Sequence, residues 1–498
     1  MFSSPLSSLR NLCVPLRLCG EPASRPTPIV RQAESQNLVY LTSLTRCPKQ
    51  PALADLTNYT GKSVPGAFDR AGALVRPQEA DVCPAHLKGK PRMKLLKFFA
   101  VMFFAAALIV PAALTRTAVS QSFVEAPTGF DNRTNGLTDQ ATFDADLRIF
   151  EERDTVADGL GPVYNAQSCA ECHQNPVTGG ASQVTVLRAG HRDRAGNFVA
   201  APGGSLIHDR AIHPAIQESV PDGENIRTFR ASLSILGDGF IEAIDDQTII
   251  EIARNQPRLS GGMIAGQVVQ APLLEVPGFT RVGRFGWKCQ HASLLSFSAD
   301  AYLNEMGITN RLLSQENSSL GNSVAAYDTV ADPEDAEDDV DLFARFMRAT
   351  KAPARDEAAA VTLEARAGAQ LFNQVGCAIC HVPNITTAPA GTAINGGTFI
   401  VPPALGGKVI HPYSDFLLHD VGTGDGIVQN GDQATANKLR TPPLWGVRTR
   451  SRLMHDAQSL TYDDALRRHG GEASFVMNRY NQLNSRQRAQ IIRFLRTL

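Results

Sequence analysis

The 498-residue sequence has almost no excess charge of either sign. It contains 48 Lys and Arg residues against 49 Asp and Glu residues, which gives a formal net charge of −1. The balance is uneven along the chain: residues 1–120 hold 15 basic and 6 acidic residues, and the remainder holds 33 and 43. Because nucleic-acid binding requires a basic face, the acidic body argues against nucleic acid as the partner.

Long apolar runs are also scarce, and the one of note covers residues 98–114. Lys94 and Lys97 precede this run, and small residues occupy the cleavage positions that end at Ser120. A short basic head, an apolar core and a small-residue end are typical of a secretory signal peptide. Residues 93–120 are therefore predicted to be an export signal cut after Ser120, with a membrane anchor as the alternative.

The stretch before this signal has no convincing periodicity and is scattered with Pro, Ser and Arg. Since an export signal belongs at the start of a chain, we expect Met93 to be the natural start and residues 1–92 not to be part of the natural protein. A disordered extension is the alternative. The expected location is the bacterial periplasm, with membrane contact only through the export signal.

Cysteines are few, and four of the five after residue 120 belong to two short motifs. Residues 168–173 read SCAECH and residues 376–381 read GCAICH, so each contains Cys-x-x-Cys-His. A disulfide framework leaves the adjoining histidines unexplained. A zinc site would have to join pairs more than 200 residues apart, and a thioredoxin-like redox motif needs a βαβ setting that neither copy has.

Covalent attachment of a c-type haem explains every member of the motif. Cysteines at positions i and i+3 lie on one face of a helical turn, where both can form thioethers with one haem. The next residue, histidine, can then bind the iron. The two predicted sets are Cys169, Cys172 and His173 for haem 1, and Cys377, Cys380 and His381 for haem 2.

Helical spacing of apolar residues surrounds both motifs. The predicted helices lie at residues 143–152, 339–350 and 362–373, and from Ser485 to the chain end. A helix before the haem motif and a helix that closes the domain follow the cytochrome c plan. We therefore expect a mainly α protein with two cytochrome c-like helical domains, 121–355 and 356–498, joined by a linker at 351–359. Each domain should hold one covalent c-type haem and long irregular loops.

An arginine recurs at a similar distance after each motif. Arg230 lies 57 residues after His173, and Arg440 lies 59 residues after His381. In both places a short apolar stretch and a glycine follow, which suggests a duplication. An arginine at this offset can bind a haem propionate, and a surface arginine is the alternative.

The second iron ligand of haem 2 is predicted to be His469. This residue ends an amphipathic segment just before Gly470 and Gly471, which are typical of a helix end. Met454 and His455 are the rival ligands.

The corresponding stretch after Arg230 offers no good iron ligand. The residues that align with His469 are Ala253, Arg254 and Asn255. Haem 1 is therefore expected to lack a protein ligand on its distal side, so that peroxide or dioxygen can bind there. The loop histidines that could still reach it are His191, His208, His213 and His291.

Five blocks of the sequence resemble a known family. The blocks are GLGPVYNAQSCAECH, GRFGWKCQHASLLSFSADAYLNEMGIT, YSDFLLHDVG, RTPPLWGV and LMHDAQSLTYDDALRRHGGEA. They resemble the di-haem oxidoreductases of bacterial periplasms, so-called thiol oxidoreductases, which are distantly similar to di-haem cytochrome c peroxidases. The resemblance covers roughly residues 125–498. It implies two c-type haems, an all-α fold and electron-transfer or peroxidase-like chemistry.

The resemblance also bears on the ligands of haem 2. In the peroxidase relatives the distal ligand of the C-terminal haem follows a His-Asp pair by 14 residues, and His469 stands at that distance from His455. Methionine is usual at this position in the peroxidases. A histidine would lower the reduction potential of haem 2, which departs from a standard peroxidase cycle.

The expected function is a peroxidase-like oxidoreductase. Haem 2 would take electrons from a small redox protein, and peroxide or dioxygen would react at haem 1. The alternatives are a haem-dependent dioxygenase that cleaves an apolar, polyisoprenoid-like substrate and a non-catalytic electron carrier. The carrier predicts a second protein ligand on both irons.

Several further residues have both a functional and a structural interpretation. The sequence has two tryptophans, Trp287 and Trp445, and each can either relay an electron or pack in the core. Trp287 is the favoured relay because it lies between the two motifs in the sequence. Lys288 and Tyr302 are candidates near haem 1, with a snorkelling lysine and a packed tyrosine as alternatives. The sequence GTGDG at 422–426 suggests either a Ca²⁺ site or a glycine-rich turn.

Two residues complete the set. His419 can orient a haem ligand or be a hydrogen-bonded core histidine. Cys289 is unpaired and is predicted to be buried and inert.

Overall fold

The computed structural model describes residues 124–498. The predictions for residues 1–92, for the start at Met93 and for the export signal 93–120 lie outside the described residues. Between residues 124 and 498, no helix is both long enough and apolar enough to cross a membrane.

Residues 124–498 contain eleven α-helices, most of them short. Their bounds are α1 Gln140–Glu151, α2 Cys169–Cys172, α3 Asp238–Glu242, α4 Asp246–Ser260, α5 Leu294–Ala301, α6 Asp339–Ala349, α7 Glu357–Ala360, α8 Leu363–Val375, α9 Tyr462–Arg467, α10 Ser474–Gln482 and α11 Ser485–Leu495. One π-helical turn, Tyr302–Met306, continues directly from α5.

Fifteen short strands lie in the same part of the chain. They are β1 Val124–Glu125, β2 Val163–Tyr164, β3 Thr185–Arg192, β4 Phe198–Ala200, β5 Leu206–Ile207, β6 Arg210–Ala211, β7 Ile226–Ala231, β8 Gln270–Pro272, β9 Thr280–Val282, β10 Ile385–Thr386, β11 Ala393–Ile394, β12 Phe399–Ile400, β13 Lys408–Ile410, β14 Leu418–His419 and β15 Leu439–Arg440. They form six small sheets. The largest is antiparallel, with β3 paired to β4 and β5 on one edge and to β7 on the other.

The expectation of a mainly α protein is wrong. Helix accounts for 33% and strand for 15% of the structure, and two separate helical haem domains are not shown. The physical reason is the length of the strands, because two or three residues are too few to display an alternating pattern. The exceptions are β3 and β7, which pair across about 40 residues of intervening chain, and β3, which reads TVLRAGHR, has no strict alternation of apolar and polar residues.

The helices predicted around the two motifs are present. The segments 143–152, 339–350 and 362–373 correspond to α1, α6 and α8, and the last predicted helix is α11. The N-cap of α11 is Asn484: the Asn484 side chain accepts from the Gln487 backbone, and the Gln487 side chain accepts in return from the Asn484 backbone. Part of the expected linker forms α7. The division at residue 355 stays a prediction.

Two large hydrophobic clusters and four smaller ones form the core of residues 124–498. In the first, α1 and α6 pack through the rings of Phe143, Phe150, Phe343 and Phe346, and α5 adds aliphatic side chains to the same cluster. In the second, α8 and α11 pack together, and the ring centroids of Phe372 and Phe494 lie 5.2 Å apart.

The contact between α8 and α11 depends on Gly368. A Cβ atom at this position would lie 1.9 Å from the carbonyl oxygen of Gln490, far inside van der Waals contact. The two helix backbones can therefore approach this closely only because residue 368 has no side chain.

We expect Gly368→Ala to lower the free energy of unfolding by about 1–3 kcal/mol. Alanine favours the helix by about 1 kcal/mol, but the clash involves backbone on a neighbouring helix and cannot be relieved by a rotamer change. Chemical denaturation of the variant measures the change. The control is Gln370→Ala, an exposed position in the same helix. An equal or higher stability of Gly368→Ala would contradict the close approach.

Candidate functional site: two cavities beside the Cys-x-x-Cys-His motifs

Each Cys-x-x-Cys-His motif lines its own large cavity. Cavity 1 has about 1350 Å³ of space free of protein atoms, part of it open to solvent, and both cysteines and the histidine of the first motif line it. Cavity 2 has about 1300 Å³ of such space, also partly open to solvent, and is lined in the same way by the second motif. The structure thus brings together the three members of each predicted attachment set.

Local structure turns both cysteines of a motif toward the same space. The first motif is the short helix α2, whose N-cap Ser168 accepts a hydrogen bond from the backbone of Glu171. The second motif follows α8 as one 3₁₀ turn, and the change of direction occurs at Gly376, whose φ of 102° favours glycine. In each motif the cysteine side chains are one turn apart, so both sulfurs can reach one planar group.

The histidine of each motif is in the tautomer that can bind a metal through Nε2. The Nδ1 atom of His173 lies 3.3 Å from the Gly180 carbonyl oxygen, and that of His381 lies 3.0 Å from the Tyr413 carbonyl oxygen. A carbonyl oxygen only accepts, so Nδ1 carries the proton and Nε2 keeps a free lone pair. Burial lowers the pKa of both histidines to about 4, so each imidazole is neutral at physiological pH.

None of the four motif cysteines forms a disulfide with another residue of 124–498. Burial raises the pKa of Cys172 and Cys377 to about 12 and also raises that of the other two. Two protonated thiols, a neutral imidazole with a free Nε2 and a large, mainly apolar space fit a covalently attached haem in each cavity.

Cavity 2 contains a second imidazole whose Nδ1 also contacts a backbone carbonyl oxygen. His469 lines the cavity, and its Nδ1 atom lies 2.8 Å from the Ala465 carbonyl oxygen. His381 and His469 line the same cavity, and His469 adds to the effect of burial in lowering the pKa of His381. The rivals Met454 and His455 also line cavity 2, and His455 packs edge-on against Trp287 with ring centroids 6.0 Å apart.

Cavity 1 differs in this respect. Of the described residues that line cavity 1, His173 is the only histidine, and none is a lysine. The four loop histidines have other partners: His191 pairs with Glu224, His208 with Glu218, His213 stacks on Tyr327, and His291 pairs with Asp300. The residues Ala253, Arg254 and Asn255 lie in α4 and do not line the cavity either.

Two acidic residues of cavity 1 were not anticipated from the sequence. Glu305 belongs to the π-helical turn, together with Tyr302 and Met306, which also line the cavity. Burial raises the pKa of Glu305, and its Oε2 accepts from Asn165 Nδ2 at 2.7 Å. Burial also raises the pKa of Asp238 to about 8. The available signal was a lone carboxyl inside an otherwise apolar segment, which indicates burial or function.

Arginines line both cavities. The predicted Arg230 lines cavity 1, but its guanidinium pairs with the buried Asp425 at 2.7 Å. Arg440 lines both cavities, and its Nε donates to the Gly286 carbonyl oxygen. Sequence reasoning missed Arg188 in cavity 1, whose buried Nε has no hydrogen-bond partner among the described residues, and Arg450 in cavity 2.

The two tryptophans have different surroundings. Trp287 lines both cavities, and its indole N–H donates to the Ala231 carbonyl oxygen at 2.9 Å. Trp445 belongs to the first hydrophobic cluster and lines neither cavity. The structure therefore distinguishes the shared indole from the core indole.

Lys288 does not line cavity 1. Its ammonium group is fully buried, and it contacts Asp425 at 3.0 Å and three backbone carbonyl oxygens. Because Asp425 is bound by both Lys288 and Arg230, its charge is already compensated, and the segment 422–426 gives no evidence of a Ca²⁺ site.

His419 lies at the wall of cavity 2 in a buried network. Its Nε2 lies 2.8 Å from Asp415 and its Nδ1 lies 2.9 Å from Glu472. Both ring nitrogens must carry protons to donate to two carboxylates, and these carboxylates raise its pKa well above the usual value against the opposing effect of burial. His419 therefore has no lone pair for iron. Cys289 is fully buried, and its thiol donates to the Phe416 carbonyl oxygen.

The family profile described as "Di-haem oxidoreductase, putative peroxidase" matches residues 216–498, more than half of the chain. The chain therefore belongs to the di-haem oxidoreductase family. Membership implies haem cofactors and an oxidoreductase activity.

Two solved structures show a weak likeness to this chain. Hydrazine synthase of Kuenenia stuttgartiensis is 12% identical, with 85% of this chain and 100% of that chain covered. A MauG-like protein associated with microbial copper homeostasis is 14% identical, with coverages of 76% and 93%. Both TM-scores are 0.35, too low to establish a common fold. No curated protein matches the chain significantly.

Proposed function

We propose that this protein is an exported periplasmic di-haem c-type cytochrome with peroxidase-like activity. Cys169 and Cys172 hold haem 1 with His173 as its iron ligand. Cys377 and Cys380 hold haem 2, which is ligated by His381 and His469. An iron with an open position can bind peroxide or dioxygen, whereas a bis-ligated iron transfers electrons. A small redox protein donates the electrons.

The observation that carries this proposal is the unequal supply of imidazoles. Cavity 2 presents His381 and His469, each with Nδ1 bound to a backbone carbonyl oxygen and Nε2 free. Cavity 1 presents His173 alone among the described residues. The same contrast argues against a pure electron carrier, for which two ligands on each iron are expected.

The chain's own groups in cavity 1 suit proton transfer. Because burial favours the protonated carboxyl, Glu305 is able to give and take a proton closer to neutral pH than an ordinary glutamate. Asn165 holds one of its oxygens in place. Arg188 and Arg440 are placed to bind the carboxylates of a haem in cavity 1.

Trp287 is the proposed electron relay. It lines both cavities, so one indole can contact the group held in each. Its N–H is fixed by the Ala231 carbonyl oxygen, and its own backbone oxygen accepts from the Arg440 N–H at 2.8 Å. The first contact orients the indole ring, and the second fixes the backbone that carries it.

Haem stoichiometry tests the proposed attachment directly. The chain is expressed in a host that attaches c-type haem, and covalent haem per chain is measured by haem absorbance and intact mass. We expect two haems in the natural sequence and one in either double variant, Cys169→Ser with Cys172→Ser or Cys377→Ser with Cys380→Ser. Cys289→Ser is the control and should keep two. One haem in the natural sequence would contradict the proposal.

A further inference from the structure

Four oxygen atoms converge on the buried ammonium group of Lys288. The Nζ atom lies 3.1 Å from the Thr435 carbonyl oxygen, 2.9 Å from that of Ala436 and 2.7 Å from that of Lys438. Asp425 Oδ1 is the fourth, at 3.0 Å. The side chains of Lys288 and Asp425 are both 0% exposed, so these contacts are shielded from bulk solvent.

This arrangement has the composition of a cation site. Carbonyl and carboxylate oxygens are the ligands that hard cations take in proteins, and an ammonium has only three N–H groups for the four oxygens present. Without a positive charge, the carbonyl dipoles and the carboxylate would face one another in a medium of low dielectric. Burial lowers the pKa of Lys288 to about 8, while Asp425 acts against this shift, so the amine stays protonated at neutral pH.

The ammonium group of Lys288 connects the two segments that carry Trp287 and Arg440. Lys288 directly follows Trp287, which lines both cavities. The three carbonyl oxygens belong to residues 435–438, which lead straight into β15 and Arg440, the other residue that lines both cavities. The backbone N–H of Arg440 donates to the Trp287 carbonyl oxygen. The four oxygen contacts of Lys288, which together form an oxygen cage, and this hydrogen bond therefore both connect the segment of Trp287 and Lys288 to the segment 435–440.

We propose that Lys288 is the resident cation of an oxygen-lined site, and that its ammonium group holds the segments of Trp287 and Arg440 in register. In this protein the chain itself supplies the positive charge that a free cation would otherwise bring. Lys288 is a positioning residue, since it lines neither cavity. This inference concerns the cation site alone and does not depend on the proposed activity.

Chemical rescue tests the proposal. Lys288→Ala removes the ammonium group and the three methylenes beyond Cβ. We expect the thermal unfolding midpoint of the haem-loaded protein to fall by roughly 5–10 °C. Added n-propylammonium chloride, which supplies the missing atoms, should recover most of this loss. Choline chloride at equal ionic strength is too bulky to enter and should recover none. Calcium chloride tests whether the emptied cage accepts a metal ion in place of the ammonium, and recovery by calcium would also support a cation site.

Lys351→Ala is the matched control, because Lys351 makes a surface ion pair with Asp131. Its midpoint should change by roughly 2 °C or less and should not respond to n-propylammonium. An unchanged midpoint for Lys288→Ala, or a loss that none of the added cations restores, would overturn the proposal.

A second variant covers the case in which Lys288→Ala does not fold. Lys288→Met keeps the length of the side chain without its charge, so packing alone would be retained. A midpoint equal to that of the natural sequence would then show that the charge is not needed. A lowered midpoint would support the cation role. Both variants are read through unfolding, so a failure here is distinct from a failure of the proposed peroxidase-like function.

Discussion

Replacing Glu305 with glutamine is expected to lower turnover with hydrogen peroxide by about 10²–10⁴-fold, the usual effect of losing a positioned acid–base group. Glutamine keeps the size of the side chain and can still accept from Asn165, which contacts Glu305 at 2.7 Å. Haem content and the visible spectrum should therefore stay unchanged. The loss is expected because the amide cannot take up and release a proton.

The pH profile gives the same test a second readout. Burial raises the pKa of Glu305, so the natural protein should show an ionisation above the ordinary range of a glutamate, and the variant should lack it. Glu364→Gln, an exposed position in α8, is the control and should leave both rate and profile unchanged. A Glu305→Gln protein with full activity would remove Glu305 from the proposed chemistry, and Asp238→Asn would then test the other buried acid of cavity 1.

Replacing His469 with glycine is expected to change the spin state of haem 2 completely. The substitution removes the second imidazole of cavity 2, so the low-spin ferric signal should be lost and a second high-spin signal should appear in the electron paramagnetic resonance spectrum. Added imidazole should restore the low-spin signal by filling the space left by the side chain. The same spectra also report whether the signal of haem 1 is left unchanged.

His455→Gly separates His469 from its rival. Both residues line cavity 2, but His455 packs against Trp287, and its Nδ1 has no hydrogen-bond partner in the described part of the chain. The low-spin signal should survive this substitution. Loss of the signal in His455→Gly, with the signal kept in His469→Gly, would transfer the ligand role to His455.

The sequence predicts the local features of the site well because those features are local. Two Cys-x-x-Cys-His motifs lie on single turns, so the placement of their three side chains in one space follows from spacing alone. The helices beside them carry amphipathic patterns long enough to recognise, and α6 and α8 lie within one or two residues of the predicted bounds.

The features that the sequence did not predict depend on long-range contacts. The wall that β3 and β7 contribute to cavity 1, through Val186 and Arg230, forms between segments that no local pattern connects. Lys288 was expected near haem 1, yet Asp425 and three carbonyl oxygens from 435–438 draw it away. No periodicity encodes such a cage.

The electrostatic roles of the buried charged residues could also be assigned only from the fold. Arg230 and Arg440 stand at similar offsets in the sequence, but Arg230 is paired with a buried aspartate and Arg440 reaches both cavities. The importance of Glu305 follows from its burial beside cavity 1, which its neighbours in the sequence only suggest. The pairing or burial of a charge is decided by residues far away in the chain.

The most direct test of the central claim is the low-temperature electron paramagnetic resonance spectrum of the fully ferric protein with both haems attached. Unequal ligation predicts one high-spin signal, from haem 1 with His173 as its only protein ligand, and one low-spin signal, from haem 2 with two histidines. Two low-spin signals would show that haem 1 has a second protein ligand. That result would contradict the open site and would favour an electron carrier.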